Sequence, residues 1–166
     1  MNRRADIHRT IERAQKVYLS FENPLRKSLS SLLENARKAV LRSRELCRNL
    51  GVSEICSRCD RDEGGSCCGA GIEDRYGEEL LVANIMAGIS LPSSRFDEKS
   101  CYFLGPEGCI LFFRHTLCVN FLCKRLYESL GMQKIILIQN TVGEEIELTF
   151  RLCDAIYRIT HGEIKP

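Results

Sequence analysis

The segment IHRTIERAQKVYLSFENPLRKSLSSLLENARKAVLRSRELCRNL, residues 7–50, contains apolar side chains at intervals of three and four residues. This spacing brings them onto one face of an α-helix, so the segment predicts a helical fold. The apolar positions on this face are Ile7, Ile11, Ala14, Tyr18, Phe21, Leu25, Leu29, Leu32, Ala36 and Val40. Such a face needs a second apolar surface to cover it, and we expect a C-terminal helix to provide one.

Asn23 and Pro24 interrupt this pattern. Asparagine is a common N-cap, and proline is favoured at the first position of a helix. We therefore expect one helix over about residues 6–21 and a second over residues 24–50, closed by Gly51. The alternative is a single long helix with a kink at Pro24.

Helical spacing also predicts helices over residues 75–89 and 116–130, the second of which ends at Gly131. Residues 134–139 are too few for periodicity to separate a strand from a helix, and we favour the helix. Thr141 and Glu144 fit a capping box, which predicts a C-terminal helix from there to about Thr160. Residues 51–72 contain five glycines and little periodicity, and residues 92–108 read as irregular chain, so we expect loops in both places.

The composition excludes several classes of protein. The chain has 166 residues, with 24 lysines and arginines against 22 acidic residues and 44% apolar content, which is typical of one globular domain. No apolar run approaches the roughly 18 residues of a membrane span, and the basic N-terminus does not lead into a signal-peptide pattern. We therefore expect a cytoplasmic protein with no membrane partner.

Charge is distributed unevenly, because residues 1–50 carry a net charge of +7 and residues 51–166 carry −5. A basic segment can bind nucleic acid, but here acidic residues are interleaved with the basic ones and aromatic residues are few. These acidic residues include Asp6, Glu12, Glu22 and Glu34. We interpret the basic segment as a solvated helix face, so nucleic acid is not an expected partner.

The ten cysteines are the unusual feature of the sequence, and eight of them form spaced groups. The groups are Cys56-x2-Cys59, Cys67-Cys68, Cys101-x7-Cys109 and Cys118-x4-Cys123. A Cys-x2-Cys turn brings two thiolates to one metal, and a cytosolic setting disfavours disulfides. We predict that this set ligates metal, with either one or both of Cys67 and Cys68 taking part. Cys47 and Cys153 lie outside the groups on predicted helices, where we expect buried packing.

The order of these motifs resembles the CxxCxxCC (YkgJ-type) cysteine-cluster family, which is described as zinc- or iron-chelating. The elements that carry the resemblance are Cys56, Cys59, Cys67 and Cys68, then Cys101-Tyr102-Phe103-Leu104, then Gly108-Cys109-Ile110, then Arg114-His115-Thr116-Leu117-Cys118-Val119-Asn120-Phe121-Leu122-Cys123. His115 stands where the family usually has proline, and Val119 stands where it usually has arginine. The resemblance covers about residues 56–123 and implies a metal site more firmly than an activity.

The spacing bears on the identity of the metal. Structural zinc sites usually draw on two Cys-x2-Cys knuckles and this chain has one, whereas iron-sulfur clusters accept ligands at mixed spacings, so we slightly favour an iron-sulfur cluster over zinc. Arg114 precedes Cys118 by one helical turn, from where it could donate hydrogen bonds to sulfur as a cofactor-binding residue. For His115 we favour a structural or exposed role over ligation.

These observations predict a mainly α fold in which N- and C-terminal helices pack around a loop-rich, cysteine-ligated metal centre. We expect a single domain over residues 1–166, made of a basic helical segment (1–50), a cysteine-cluster region (51–131) and a C-terminal helical segment (132–166). The predicted function is metal binding in redox chemistry or metal handling. The alternatives are a protein-modifying enzyme similar to lysine N-methylases and a zinc-stabilised interaction module. The sequence identifies neither a catalytic residue nor the protein partner.

Overall fold

A computed structural model of the protein describes residues 7–62 and 67–163, without the side chains of residues 59–62. Its helices are α1 (Ile7–Asn49), α2 (Val52–Asp62), α3 (Glu78–Met86), α4 (Thr116–Asn120), α5 (Lys124–Leu130) and α6 (Met132–Thr160). A short 3-10 helix, Ile72–Arg75, precedes α3, and the strands β1 (Leu104–Gly105) and β2 (Gly108–Cys109) form an antiparallel hairpin. The predicted mainly α fold is confirmed.

The N-terminal segment is one helix, α1, so the preferred prediction of two helices separated at Asn23 and Pro24 is wrong and the alternative of a single long helix is right. A proline inside a helix costs about 3 kcal/mol because it removes a backbone hydrogen bond and crowds the preceding turn. Side chains on both sides of Pro24 offset a small part of this cost. Tyr18 donates a hydrogen bond to Glu22 at 2.9 Å, and Arg26 donates to Glu22 at 3.0 Å. The predicted helix start near residue 6 lies outside the described residues.

The apolar face of α1 packs against α3 and α6, as the sequence predicted for the N- and C-terminal helices. Leu25, Ala36 and Val40 of α1 are fully buried in the main core. Leu152, Ile156 and Ile159 of α6 belong to the same core. Because α1 contributes to this core along most of its length, burial of the face compensates for the interruption at Pro24.

The segment after Gly51 is helical up to Asp62, which corrects the first part of the predicted loop over residues 51–72, whereas residues 67–71 are turns and a bridge, as predicted. Helix α2 occupies Val52–Asp62. Its Ile55 is buried with Leu126 and Ile135 in a second, smaller apolar cluster. Among the side chains of α2 that the structure describes, residues 52–58, only Ile55 is buried and Val52 is half-buried, and this pattern is too weak to predict a helix from the sequence.

The predicted helix over residues 116–130 is instead two helices, because the chain is extended at Phe121 and at Cys123, the N-cap of α5. Gly131 ends α5 with a positive φ of 75°, as predicted, and α6 begins immediately after it. The preference for a helix over residues 134–139 is confirmed. Thr141 lies inside α6 and donates to the carbonyl of Leu137 at 3.0 Å, so the predicted capping box there is wrong.

Residues 92–108 are mostly irregular, as predicted, but they lead into a hairpin that the sequence analysis missed. Leu104 pairs with Cys109, and Gly105 pairs with Gly108. Gly108 has a φ of 110°, which side chains other than glycine rarely adopt. Each strand of the hairpin has only two residues, so the sequence contains no alternation of apolar and polar residues that would predict it. Among the described residues, no helix combines the length and apolar character needed to cross a membrane.

Leu25 offers a test of the packing of α1. Because its side chain is fully buried, Leu25→Ala should lower the free energy of unfolding by about 2–5 kcal/mol. Leu41 lies on the same helix with 53% of its surface exposed, so Leu41→Ala should change the free energy of unfolding by no more than about 0.5 kcal/mol. Urea denaturation followed by circular dichroism measures both. Equal effects would contradict the assigned face of α1.

Candidate metal centre

A cavity of about 310 Å³ lies between the C-terminal part of α1, helix α2 and the segment around α4. Five cysteines line it, namely Cys47, Cys56, Cys67, Cys109 and Cys118. Three arginines also line it, namely Arg44, Arg48 and Arg114. Four of these cysteines belong to the predicted ligand set, and the fifth, Cys47, was expected only to pack in a core. The structure therefore brings residues far apart in sequence to one site.

Backbone hydrogen bonds position several of the cysteines. The Cys101 N–H donates to the carbonyl of Cys68 at 2.7 Å, which joins the second and third cysteine groups. The hairpin places Cys109 of β2 opposite Leu104 of β1. The Cys118 N–H donates to the carbonyl of His115 at 2.8 Å within the first turn of α4. Backbone contacts within and between segments therefore position Cys68, Cys101, Cys109 and Cys118.

The thiols of the central groups lie close enough to influence one another. The Cys67 and Cys68 thiols are hydrogen-bonded to each other. This bond and burial raise the pKa of the Cys68 thiol, to which the nearby Cys118 and Cys109 also contribute. Burial raises the pKa of Cys109, with Cys118 again adding to the increase. These raised pKa values mean that the buried thiols are protonated at neutral pH when no metal is bound.

Tyr76 connects this group to α4. Its hydroxyl lies 3.7 Å from the Cys118 Sγ and accepts a hydrogen bond from the His115 N–H at 3.1 Å. Burial raises the pKa of the Tyr76 phenol, so it remains a neutral hydrogen-bonding group beside the sulfur. His115 Nδ1 accepts from the Leu117 N–H at 3.1 Å and so caps α4. Tyr76 was not singled out from the sequence, because a lone tyrosine carries no spacing signal.

The arginines of the cavity differ in how fully their donors are used. Arg44 donates from Nη2 to the carbonyls of Leu111 and Phe112 at 2.9 and 2.8 Å. Burial lowers the pKa of the Arg44 guanidinium, and the positive charge of Arg114 lowers it further. The Arg114 Nε is buried without a hydrogen-bond partner among the described residues. The cavity therefore has a positively charged side, and the Arg114 Nε on that side is available to donate a hydrogen bond.

Asn84 of α3 positions the chain between Cys109 and Arg114. Its side chain is fully buried. Its Nδ2 donates to the carbonyls of Leu80 and Phe113 at 2.8 and 2.9 Å. Its Oδ1 accepts from the N–H groups of Phe112 and Phe113 at 2.7 and 3.0 Å. Because this segment has no regular partner strand, the asparagine satisfies backbone groups that would otherwise be buried unpaired.

The remaining predicted ligands lie elsewhere or outside the description. Cys101 is buried in the main core, where burial raises the pKa of its thiol to about 12. Cys123 packs on the second apolar cluster beside α2. The backbone of Cys59 belongs to α2, but its side chain lies outside the described residues. Cys153 is part-buried on α6 and does not line the cavity.

The thiols surround the cavity more than they converge within it. In the part of the chain with described side chains, no three histidine, cysteine, aspartate or glutamate side chains form a group that could hold a single metal ion. Of the eight cysteines predicted as ligands, the structure therefore brings four to the lining of one cavity. No protein-family model, no curated protein and no solved structure matches the chain.

Asn84→Ala tests whether this side chain supports the segment that leads from Cys109 to Arg114. The substitution leaves several buried backbone groups unpaired, so the free energy of unfolding should fall by about 3 kcal/mol or more. Asn140→Ala on the exposed side of α6 should change it by less than about 0.5 kcal/mol. Chemical denaturation compares the two variants. A loss below 1 kcal/mol (on the order of one ordinary hydrogen bond) for Asn84→Ala would contradict the assigned role.

Cys153 allows a test by pH. Burial raises the pKa of this thiol from an ordinary 9.0 to about 12, so between these values it is ionised in the unfolded chain and protonated in the folded protein. The unfolded state then binds fewer protons, and stability falls as pH rises, by about 1.4 kcal/mol per pH unit for this group. Metal-free Cys153→Ala should therefore lose stability less steeply above pH 9 than metal-free wild type. Identical slopes in urea titrations would contradict the assigned burial.

Proposed function

We propose that this protein binds an iron-sulfur cluster or zinc through cysteine thiolates, as a member of the YkgJ-type cysteine-cluster family. The observation that carries the proposal is the cavity of about 310 Å³ lined by five cysteines. Four of them, Cys56, Cys67, Cys109 and Cys118, belong to the motifs that resemble the family. Cys56 and Cys67 are exposed and Cys109 and Cys118 are part-buried, so packing in a core does not account for this gathering of cysteines.

The charges around the cavity suit a thiolate-ligated metal. Four thiolates on zinc or on a cluster give the site a net negative charge. Arg44, Arg48 and Arg114 line the same cavity and would compensate that charge. The buried Arg114 Nε, which has no hydrogen-bond partner among the described residues, would donate to a ligand sulfur.

The positions of the arginines are consistent with the family resemblance, although the arginine that the family usually has at position 119 is missing. Val119, at the position where the family usually has arginine, lines the cavity as an apolar residue. Arg44 and Arg48 of α1 line the cavity as well, although they lie outside the motif region. The positive charge that the motif lacks at residue 119 is thus available from α1.

The shape of the site favours an iron-sulfur cluster over zinc. A single zinc ion needs its four ligands close together at one point, whereas a cluster takes its thiolates around a larger inorganic core. The thiols here are spread over the wall of a cavity. When bound, such a cluster would supply one-electron chemistry, while the chain's thiols would hold it, its arginines would balance its charge and its apolar residues would exclude water. Redox chemistry or metal handling in the cytoplasm is the corresponding role.

Metal and sulfide analysis after anaerobic purification tests this proposal. We expect iron and acid-labile sulfide in the wild type, and Cys109→Ser and Cys118→Ser should each lose most of the bound metal, because each removes a ligand. Cys153→Ala should retain it, since Cys153 does not line the cavity. Stoichiometric zinc without sulfide would favour the zinc form of the proposal. Absence of both metals, or full metal content in the two serine variants, would contradict it.

A further inference from the structure

The C-terminal part of α1 forms one wall of the cavity, although it lies outside the region of cysteine motifs. Ser43, Arg44, Cys47 and Arg48 of α1 all line the cavity. Residues separated by four positions lie on the same face of a helix, so these four form a continuous surface. The wall is thus built by a helix whose sequence suggested core packing on one face and a solvated basic face on the other.

Cys47 lies on this wall and shares the cavity with four of the motif cysteines. Its thiol is half-buried, and it faces the same cavity as Cys56, Cys67, Cys109 and Cys118. Three motif cysteines with described side chains, Cys68, Cys101 and Cys123, do not line the cavity.

Two polar atoms near Cys47 are buried without a hydrogen-bond partner among the described residues, the Arg114 Nε and the Glu145 Oε2. Glu145 is only 2% exposed, and its carboxylate forms a hydrogen bond with Ser43. Arg114 lines the same cavity as Cys47, and Glu145 is bonded to Ser43, which lies one helical turn before Cys47 on α1. A buried donor without a partner is costly, and an acceptor bound in the cavity would relieve that cost.

We propose that Cys47 is a ligand of the metal centre and that α1 is therefore part of the site. The inference rests on the proposed function and extends the ligand set beyond residues 56–123. Ligation replaces the S–H bond of Cys47 with a bond from sulfur to metal and releases one proton to solvent, without electron transfer. The bound metal then connects α1 to the central segments, so metal binding stabilises the contact between them.

The experiment uses the full-length protein reconstituted anaerobically with ferrous iron and sulfide, and in parallel with zinc. Cys47→Ser is compared with Cys153→Ser, which also changes a part-buried cysteine on a long helix outside the motifs. Loss of a ligand should weaken metal retention against a chelator by at least about tenfold in Cys47→Ser, and the visible absorption of the iron form should change. Cys153→Ser should behave as wild type.

A second measurement does not depend on a variant that folds. Wild-type protein is alkylated before and after removal of metal, and mass spectrometry reports the modification of each cysteine. Cys47 should be protected in the loaded protein and modified in the stripped protein, whereas modification of Cys153 should not depend on metal. This pattern would support ligation even if Cys47→Ser failed to fold.

The outcomes separate the two proposals. A wild type that takes up neither metal would overturn the proposed function and the role of Cys47 together. A wild type that binds metal in a way sensitive to Cys109→Ser, while Cys47→Ser retains metal normally, would leave the metal site standing and overturn the role of Cys47. Alkylation of Cys47 that is unchanged by metal would overturn it as well.

Discussion

Leu25, Ala36 and Val40 of α1 are buried with Leu152 and Ile156 of α6, and this long contact forms the main core against which α3 and the hairpin segment pack. It places the end of α1 beside the middle of α6, where Ser43 and Val142 both line the cavity. Helix α3 covers the same core from a third side. The segment that contains Cys101 and Cys109 contributes Tyr102, Phe103, Leu111 and Phe113 to the same core, so packing on the helices fixes its position.

Polar side chains of the helices attach the irregular segments to that surface. Asn84 satisfies the backbone of Phe112 and Phe113, and Arg44 donates to the carbonyls of Leu111 and Phe112. Such bonds cost less than leaving buried backbone groups unpaired, and they position the segment without a sheet. The same segment leads to Cys118 and to Arg114, so the helical core and the candidate metal centre share one set of contacts.

Long periodic segments were predictable from the sequence, while short or interrupted ones were not. The face of α1 was correctly identified, but the effect of Pro24 was not, because the burial that offsets it comes from α3 and α6 and is invisible in the local pattern. Helix α2 was missed because its docking depends largely on Ile55. In the cysteine set, spacing singled out the motif residues but could not show that Cys101 would enter the core or that Cys47 would reach the cavity.

Electrostatics links the candidate site to the helices around it. Without metal, burial keeps thiols such as Cys109 protonated and neutral, whereas Arg44 and Arg114 bring positive charge to the same cavity. Burial already lowers the pKa of Arg44, which is the mark of a charge that lacks full compensation. Glu145, on α6, attracts both arginines, but burial raises its own pKa and weakens that compensation. The proposed thiolate-metal centre would supply the missing negative charge, so metal binding and the packing of α1 on α6 should stabilise each other.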